Sequence, residues 1–185
     1  VPGEQEFLGR ALGYSAISYS HALQERHVFL AGNSDRVVQS ALEMSLQAEQ
    51  VTLLLEPHSD YARRHLGVVE KQENVSILNG YHIDGFEGDQ FCERVRVQHM
   101  EKPAKIVEAD AFFLERNVQP NSEIVREMVT VNGDGRISVD GNCRTSHPDI
   151  FAAGDVTTAG IEQILVALGD GVKAVLTAYQ ELMID

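Results

Sequence analysis

The sequence has no tryptophan and only two cysteines, and nowhere do two cysteines fall within one helical turn of each other. Cys92 and Cys143 stand far apart and in no metal-ligand spacing, which excludes a zinc finger or ribbon and any local dithiol. The seven histidines form neither an H-x-x-x-H pair nor a Cys–His cluster, so no metal site is expected. Long hydrophobic runs are missing as well. None approaches the roughly 20 residues of a membrane span, and no basic stretch leads an apolar one near the amino terminus. Positive charge is scarce, with 15 lysines and arginines against 28 acidic residues, a net charge of −13. That balance argues against nucleic acid or a membrane as partner, because phosphate binding needs basic surface. Isolated thiols without a targeting segment suit a reducing, cytoplasmic setting.

What is present is enough apolar residue, 43% of the chain, for one ordinary domain or two small lobes. Residues 1–13, with Pro2, Gly3 and Gly9, read as a connector with no apolar periodicity to bury. His27 to Ala31 is a β-rich run, and Val37, Val38, Ala41, Leu42, Ser45, Leu46 and Ala48 then share one helical stripe. Val51 to Leu55 follows. This is a β-α-β unit with a parallel strand pair, and Asp35 is the expected N-cap of its helix. Residues 59–73 read as a polar helix broken near Gly67. Val75 to Leu78, Tyr81 to Phe86, Cys92 to Gln98 and Ala111 to Leu114 read as further strands. Val129 to Val139 is a hairpin whose Asn-Gly-Asp-Gly turn lacks the spaced acids and terminal glutamate of a calcium loop.

Chemistry concentrates near the carboxyl end. Pro148 ends an irregular segment, Ile150 to Ala153 reads as a short buried strand, Gly154 permits a close backbone approach, and Asp155 leaves a carboxylate at the strand end. From Ile161 through Ile164, Leu165, Leu168, Val172, Val175, Leu176 and Tyr179, apolar residues then recur at helical spacing. A strand end and a helix amino terminus thus face one site, which favours an electron-rich ligand.

The run Thr145-Ser146-His147-Pro148-Asp149-Ile150-Phe151-Ala152-Ala153-Gly154-Asp155-Val156 resembles the flavin-binding end of the low-molecular-weight thioredoxin reductase family. The resemblance implies that Asp155, beside Gly154, meets the ribityl chain of FAD. It also implies that the backbone of Glu162-Gln163-Ile164 meets the pyrimidine edge of the flavin. Glu162 departs from the family, carrying a negative charge where a positive one is usual. Such a protein is an FAD- and NAD(P)-dependent oxidoreductase and a homodimer. Its fold is α/β, a three-layer Rossmann-like NAD(P)-binding domain, here 14–118, plus the carboxyl-terminal part of an FAD-binding domain, here 119–185.

Against the same family, Val1-Pro2-Gly3-Glu4 resembles a connector, and the amino-terminal segment with its own FAD loop has no counterpart. The sequence therefore reads as a fragment covering the last three-fifths of a family member. FAD is expected in the full-length protein and not in this chain alone. The family's redox dithiol, Cys-Ala-Thr-Cys-Asp, falls on Ser15-Ala16-Ile17-Ser18-Tyr19. Two hydroxyls cannot form a disulfide or take electrons from a flavin, so no catalytic residue is expected at Ser15 and Ser18.

The nucleotide fingerprint G-x-G-x-x-G/A is kept only at Gly32. Ser34 and Val37 take the other two places, within Gly32-Asn33-Ser34-Asp35 and the residues after it. Where the family clamps a 2′-phosphate with arginines, this chain has Leu55-Glu56-Pro57 and then Tyr61. A carboxylate there repels a 2′-phosphate. Glu56 has two readings, an acid for the ribose hydroxyls of NADH or a solvated turn residue, while Arg63 and Arg64 read as a solvated face. Asn117 replaces a glycine beside the nicotinamide site. NADH or NADPH binding is expected to be weak or absent, and the implied partner is a nicotinamide nucleotide or an electron-transfer partner. The alternative is a non-catalytic degenerate nucleotide-binding or interaction domain of a larger protein.

Overall fold

The computed structural model describes residues 1–56, 63–116, 119–159 and 162–183. Expectations for Pro57, Tyr61, Asn117 and Ile161, and for the side chains of Arg63 and Arg64, lie outside the described residues. The chain divides into two compact units, Val1–Asn117 and Val118–Asp185.

The first unit is built on five parallel strands in the order β1-β8-β2-β3-β4. These are β1 (Leu12–Gly13), β2 (His27–Gly32), β3 (Gln50–Leu55), β4 (Val75–Asn79) and β8 (Ala111–Glu115). Strands covered on both faces must be apolar at nearly every position. β2 and β3 are, with five buried residues of six in each. Alternate side chains serve opposite layers. Val28, Leu30, Val51 and Leu53 pack with Val37, Val38, Ala41 and Met44 of α2 (Asp35–Ser45) and with Val69 of α3 (Arg63–Val69). Phe29, Ala31, Leu54, Phe112 and Leu114 pack against an antiparallel meander of β5 (Tyr81–Gly88), β6 (Cys92–His99) and β7 (Lys105–Glu108). Helices, parallel sheet and meander make three layers, and the unit is Rossmann-like.

Three local expectations are corrected. Ser34, not Asp35, is the N-cap of α2. Its backbone is extended, and Asp35 already opens the helix, where its carboxylate still favours the positive helix end. Gly67 does not break α3 but lies inside it, with open space where a side chain would go. Residues 1–13 do bury apolar groups. Phe7, in α1 (Glu4–Phe7), and Leu12 are 3% and 2% exposed, and β1 adds a parallel edge strand to β8.

In the second unit a small core of Val129, Ile137 and Ala152 supports irregular segments. The hairpin expected over Val129 to Val139 narrows to a single bridge, Val131 with Ile137, turned at Gly135 in the left-handed region. Ile150 to Ala153 is not a laddered strand. Phe151 makes one isolated bridge to Arg144, and only Ala152 of the four is buried. An extended segment needs a paired neighbour to become a strand. The long helix α4 (Ile164–Leu182) closes the unit.

β2 and β8 meet where the connections reverse direction, with Gly32 paired to Glu115. A Cβ on Gly32 would lie 2.4 Å from the Glu115 carbonyl oxygen and 2.9 Å from Val37 Cβ. Gly32→Ala is therefore expected to cost about 1–3 kcal/mol of unfolding free energy, measured by urea denaturation. Wild-type stability in that variant would contradict the close packing.

Candidate functional site

In open parallel sheets, ligands sit outside the carboxyl ends of the strands where strand order reverses. In this chain that point lies at Gly32 and Glu115, and the Glu115 side chain is only 1% exposed. Its carboxylate accepts the Ala16 N–H at 2.9 Å and the Ser40 hydroxyl at 3.0 Å, and it pairs with Arg36 Nε at 3.2 Å. A buried charge persists only when paired and hydrogen-bonded. Arg36 and Ser40 come from α2 and Ala16 from the segment before a short 3-10 turn, Ile17–Ala22. One carboxylate thus ties strand, helix and loop together.

Ala16 is fully buried, and the residues on either side place the Ser15 and Ser18 hydroxyl oxygens 3.0 Å apart. Tyr19 follows them, 57% exposed, its ring against Phe113. Asn33 is exposed, and the Ser34 hydroxyl is buried without a hydrogen-bond partner among the described residues. Glu56 follows β3, half-buried, and its N–H donates to the Gly32 carbonyl. Gly32, Asn33, Ser34, Asp35 and Glu56 therefore gather at the carboxyl ends of β2 and β3. Ser34 is half-buried in the turn after β2, and Asp35 opens the helix that follows it. Just past β8, Arg116 forms a two-pronged ion pair with the buried Glu4, which also accepts from the Tyr14 hydroxyl. Burial pushes the Glu4 carboxyl up, but Arg116, the Val1 amino group and Tyr14 together outweigh it and hold it below the usual range.

In the second unit, Gly154 has φ +75° and opens a short 3-10 turn, Gly154–Val156. A Cβ on it would meet Ala167 Cβ of α4 at 3.2 Å, so a side chain here would be both strained and crowded. Asp155, Glu162, Gln163, Ile164, Ala167 and Leu168 line an open cavity of about 360 Å³. Asp155, Gln163 and Ile164 thus come together at the amino end of α4. Gln163 is the N-cap and makes no side-chain capping bond.

Arg136 is a member of this site that sequence reasoning misses. Its guanidinium donates to the Asp155 carbonyl at 2.7 Å and pairs with Glu162 at 2.7 Å, the two side chains being 19% and 24% exposed. Asn132 Oδ1 holds the arginine's turn by accepting the N–H groups of Asp134 and Arg136. The negative charge at Glu162 is matched by a positive one from another segment. An arginine in a turn, 26 residues from its partner, carries no local signal of that role.

Neither cysteine is poised for thiolate chemistry. Burial pushes the Cys92 thiol up to about 11 and raises that of Cys143 as well. No group of three or more His, Cys, Asp or Glu capable of holding a metal occurs among the described residues. No helix among them is long and apolar enough to cross a membrane.

Residues 8–171 match the family model described as pyridine nucleotide-disulphide oxidoreductase. The NADH dehydrogenase of Bacillus subtilis is 28% identical over 190 residues, covering 99% of this chain and 36% of that protein. Thioredoxin reductase from Streptococcus pyogenes superposes with a TM-score of 0.89 at 22% identity, covering 100% of this chain and 61% of that one. The T. acidophilum thioredoxin reductase gives 0.70 at 26% identity, covering 99% and 61%. The chain spans about a third of the length of several curated relatives it matches, 36% in the Bacillus protein.

If Glu115 holds the first site together, Glu115→Ala leaves Ala16 N–H, Ser40 and Arg36 without their acceptor. A loss on the order of 3 kcal/mol is expected, with Glu115→Gln losing less because one acceptor oxygen remains. Denaturant midpoints of the two variants test this, and an unchanged midpoint for Glu115→Ala would remove the carboxylate from that role.

Proposed function

Because this chain belongs to the pyridine nucleotide-disulphide oxidoreductase family, we propose that it is part of a thioredoxin reductase-like flavoprotein that works without a redox dithiol of its own. Electrons pass between FAD and either a nicotinamide nucleotide or an external electron-transfer partner. Residues 14–118 are its nucleotide domain, and 119–185 the carboxyl-terminal part of its flavin domain. In the complete protein, a cytoplasmic homodimer, FAD supplies the hydride and electron chemistry.

The observation that carries this reading is the pair of hydroxyls, Ser15 and Ser18, 3.0 Å apart at the position where the family has its dithiol. Two hydroxyls there carry no redox chemistry, because oxygen offers no thiolate and no exchangeable disulfide. Neither Cys92 nor Cys143 replaces it, since both thiols are buried and protonated at neutral pH.

For the flavin, the chain's own residues suit a polyol and a hydrogen-bonding ring edge. Gly154 supports a close approach of backbone to α4, Asp155 offers an exposed acceptor, and the uncapped first turn of α4 offers N–H donors at Gln163 and Ile164. Arg136 holds Glu162 and the Asp155 carbonyl, so that the carboxylate at 162 does not stand uncompensated beside the ring edge. At the nucleotide site, Glu56 opposes a 2′-phosphate and leaves NADH as the nicotinamide to be read, through its ribose hydroxyls.

The Ser15→Cys, Ser18→Cys double variant separates geometry from chemistry. Mild oxidation is expected to form an intrachain disulfide, so that the thiol count of the denatured protein falls from four to two. NADPH with added FAD is expected not to reduce that disulfide, because Tyr19 supplies no acid and Glu56 opposes the nucleotide. NADPH-driven reduction of the restored pair would sink the proposal.

A further inference from the structure

Two asparagines of this chain precede a glycine, Asn79-Gly80 and Asn132-Gly133, and the fold holds them in opposite ways. In that setting the following backbone nitrogen can attack the asparagine Cγ, because glycine has no side chain to block the approach. Asn79 ends β4 and is laddered to Leu55 of β3. The Gly80 N–H donates to the Leu55 carbonyl at 3.1 Å, and the His99 ring lies 3.0 Å from where a Cβ on Gly80 would stand. The nucleophile is thus tied to the sheet. Asn132 is instead exposed, in the turn before Arg136. The Gly133 N–H donates no hydrogen bond among the described residues, and nothing lies within 4 Å of where its Cβ would be.

The turn also activates its own amide. Asn132 Oδ1 accepts the Asp134 N–H at 3.0 Å and the Arg136 N–H at 2.8 Å. When a nitrogen adds to Cγ, negative charge develops on that oxygen. Two backbone donors already aimed at it stabilise the charge as an oxyanion hole does. The donors are held in place by the turn itself, in which the Asn132 N–H donates to the Arg136 carbonyl at 2.8 Å and the Gly135 N–H to the Asn132 carbonyl at 3.0 Å. Electrophile, untied nucleophile and charge stabilisation therefore occur together in residues 132–136.

We propose that Asn132 is a site of spontaneous deamidation, and that isoaspartate formed there loosens the hold of Arg136 on Asp155 and Glu162. Gly133 N bonds to Asn132 Cγ, the Cγ–Nδ2 bond breaks, and ammonia leaves with the proton that Gly133 gives up, which closes a succinimide. Water then opens the ring at one carbonyl or the other, to aspartate or isoaspartate, with no oxidation or reduction. Either product adds one negative charge to the −13 of the chain. They differ in the backbone. Aspartate keeps an acceptor for the two N–H groups, whereas isoaspartate places an extra methylene in the main chain and moves the carboxylate out of the Oδ1 position. Arg136 is positioned by this turn, and its guanidinium donates to the Asp155 carbonyl and pairs with Glu162, each at 2.7 Å. The inference is independent of what the cavity at the start of α4 binds.

Incubation of the chain at mildly alkaline pH, followed by trypsin and mass spectrometry, reads both sites, since tryptic peptide 127–136 carries Asn132 and peptide 72–94 carries Asn79. In the folded chain Asn132 is expected to gain the mass of amide-to-acid conversion at least about tenfold faster than Asn79. In urea, where ladder and turn are both gone, the two rates are expected to converge. Equal rates in the folded chain, or an Asn132 that reacts only after unfolding, would overturn the site. The link to Arg136 is read by nuclear magnetic resonance of its side-chain N–H. Asn132→Asp is expected to leave that signal near its position in the unmodified chain, whereas the isoaspartate form is expected to move it to that of a free arginine. The same signal in both would overturn the link, because the two forms carry equal charge and differ only in the backbone.

Discussion

One buried carboxylate organises the first unit. Glu115 sits at the reversal of strand order, almost without solvent, and reaches the α2 helix through Ser40 and Arg36 and the Ser15–Ser18 segment through the Ala16 N–H. Each donor alone is an ordinary hydrogen bond, but the carboxylate's charge makes all three necessary together. The close pairing of Gly32 with the Glu115 backbone fixes the same point from the strand side. Sheet, helix and loop are thereby held in one arrangement at the carboxyl ends of the strands.

The second unit solves a charge problem differently. A carboxylate at Glu162, at the start of the long helix, would stand beside any electron-rich ligand there, and Arg136 meets it from a turn held by Asn132. Charge is redistributed between segments while the local balance is retained. The consequence of the unit's small core is visible elsewhere, in an extended segment around Phe151 that makes one bridge and in a helix whose apolar side is uncovered.

Much of the fold is legible in sequence because buried parallel strands leave little choice of residue. His27 to Leu55 reads as β-α-β from composition and periodicity alone, and the observed register follows it. The errors lie where local sequence is degenerate or the cause is remote. Ser34 and Asp35 are both good capping residues, and only the extended backbone at Ser34 decides between them. Gly67 reads as a breaker, yet one glycine in a short helix costs only about 1 kcal/mol. Phe7 and Leu12 match neither helical nor strand period. Glu115 looks like the polar end of an apolar run, since its partners lie 75 to 99 residues away. Of the candidate site, Gly154, Asp155, Gln163 and Ile164 are legible as a motif, and Arg136 is not.

The central claim is that this nucleotide unit, though folded like its relatives, has lost the recognition of NADPH along with the dithiol. Calorimetric titration of the chain with NADH and NADPH up to millimolar concentration tests it most directly. The account predicts no binding heat with NADPH, and with NADH nothing stronger than a millimolar isotherm. Saturable NADPH binding in the micromolar range would contradict it.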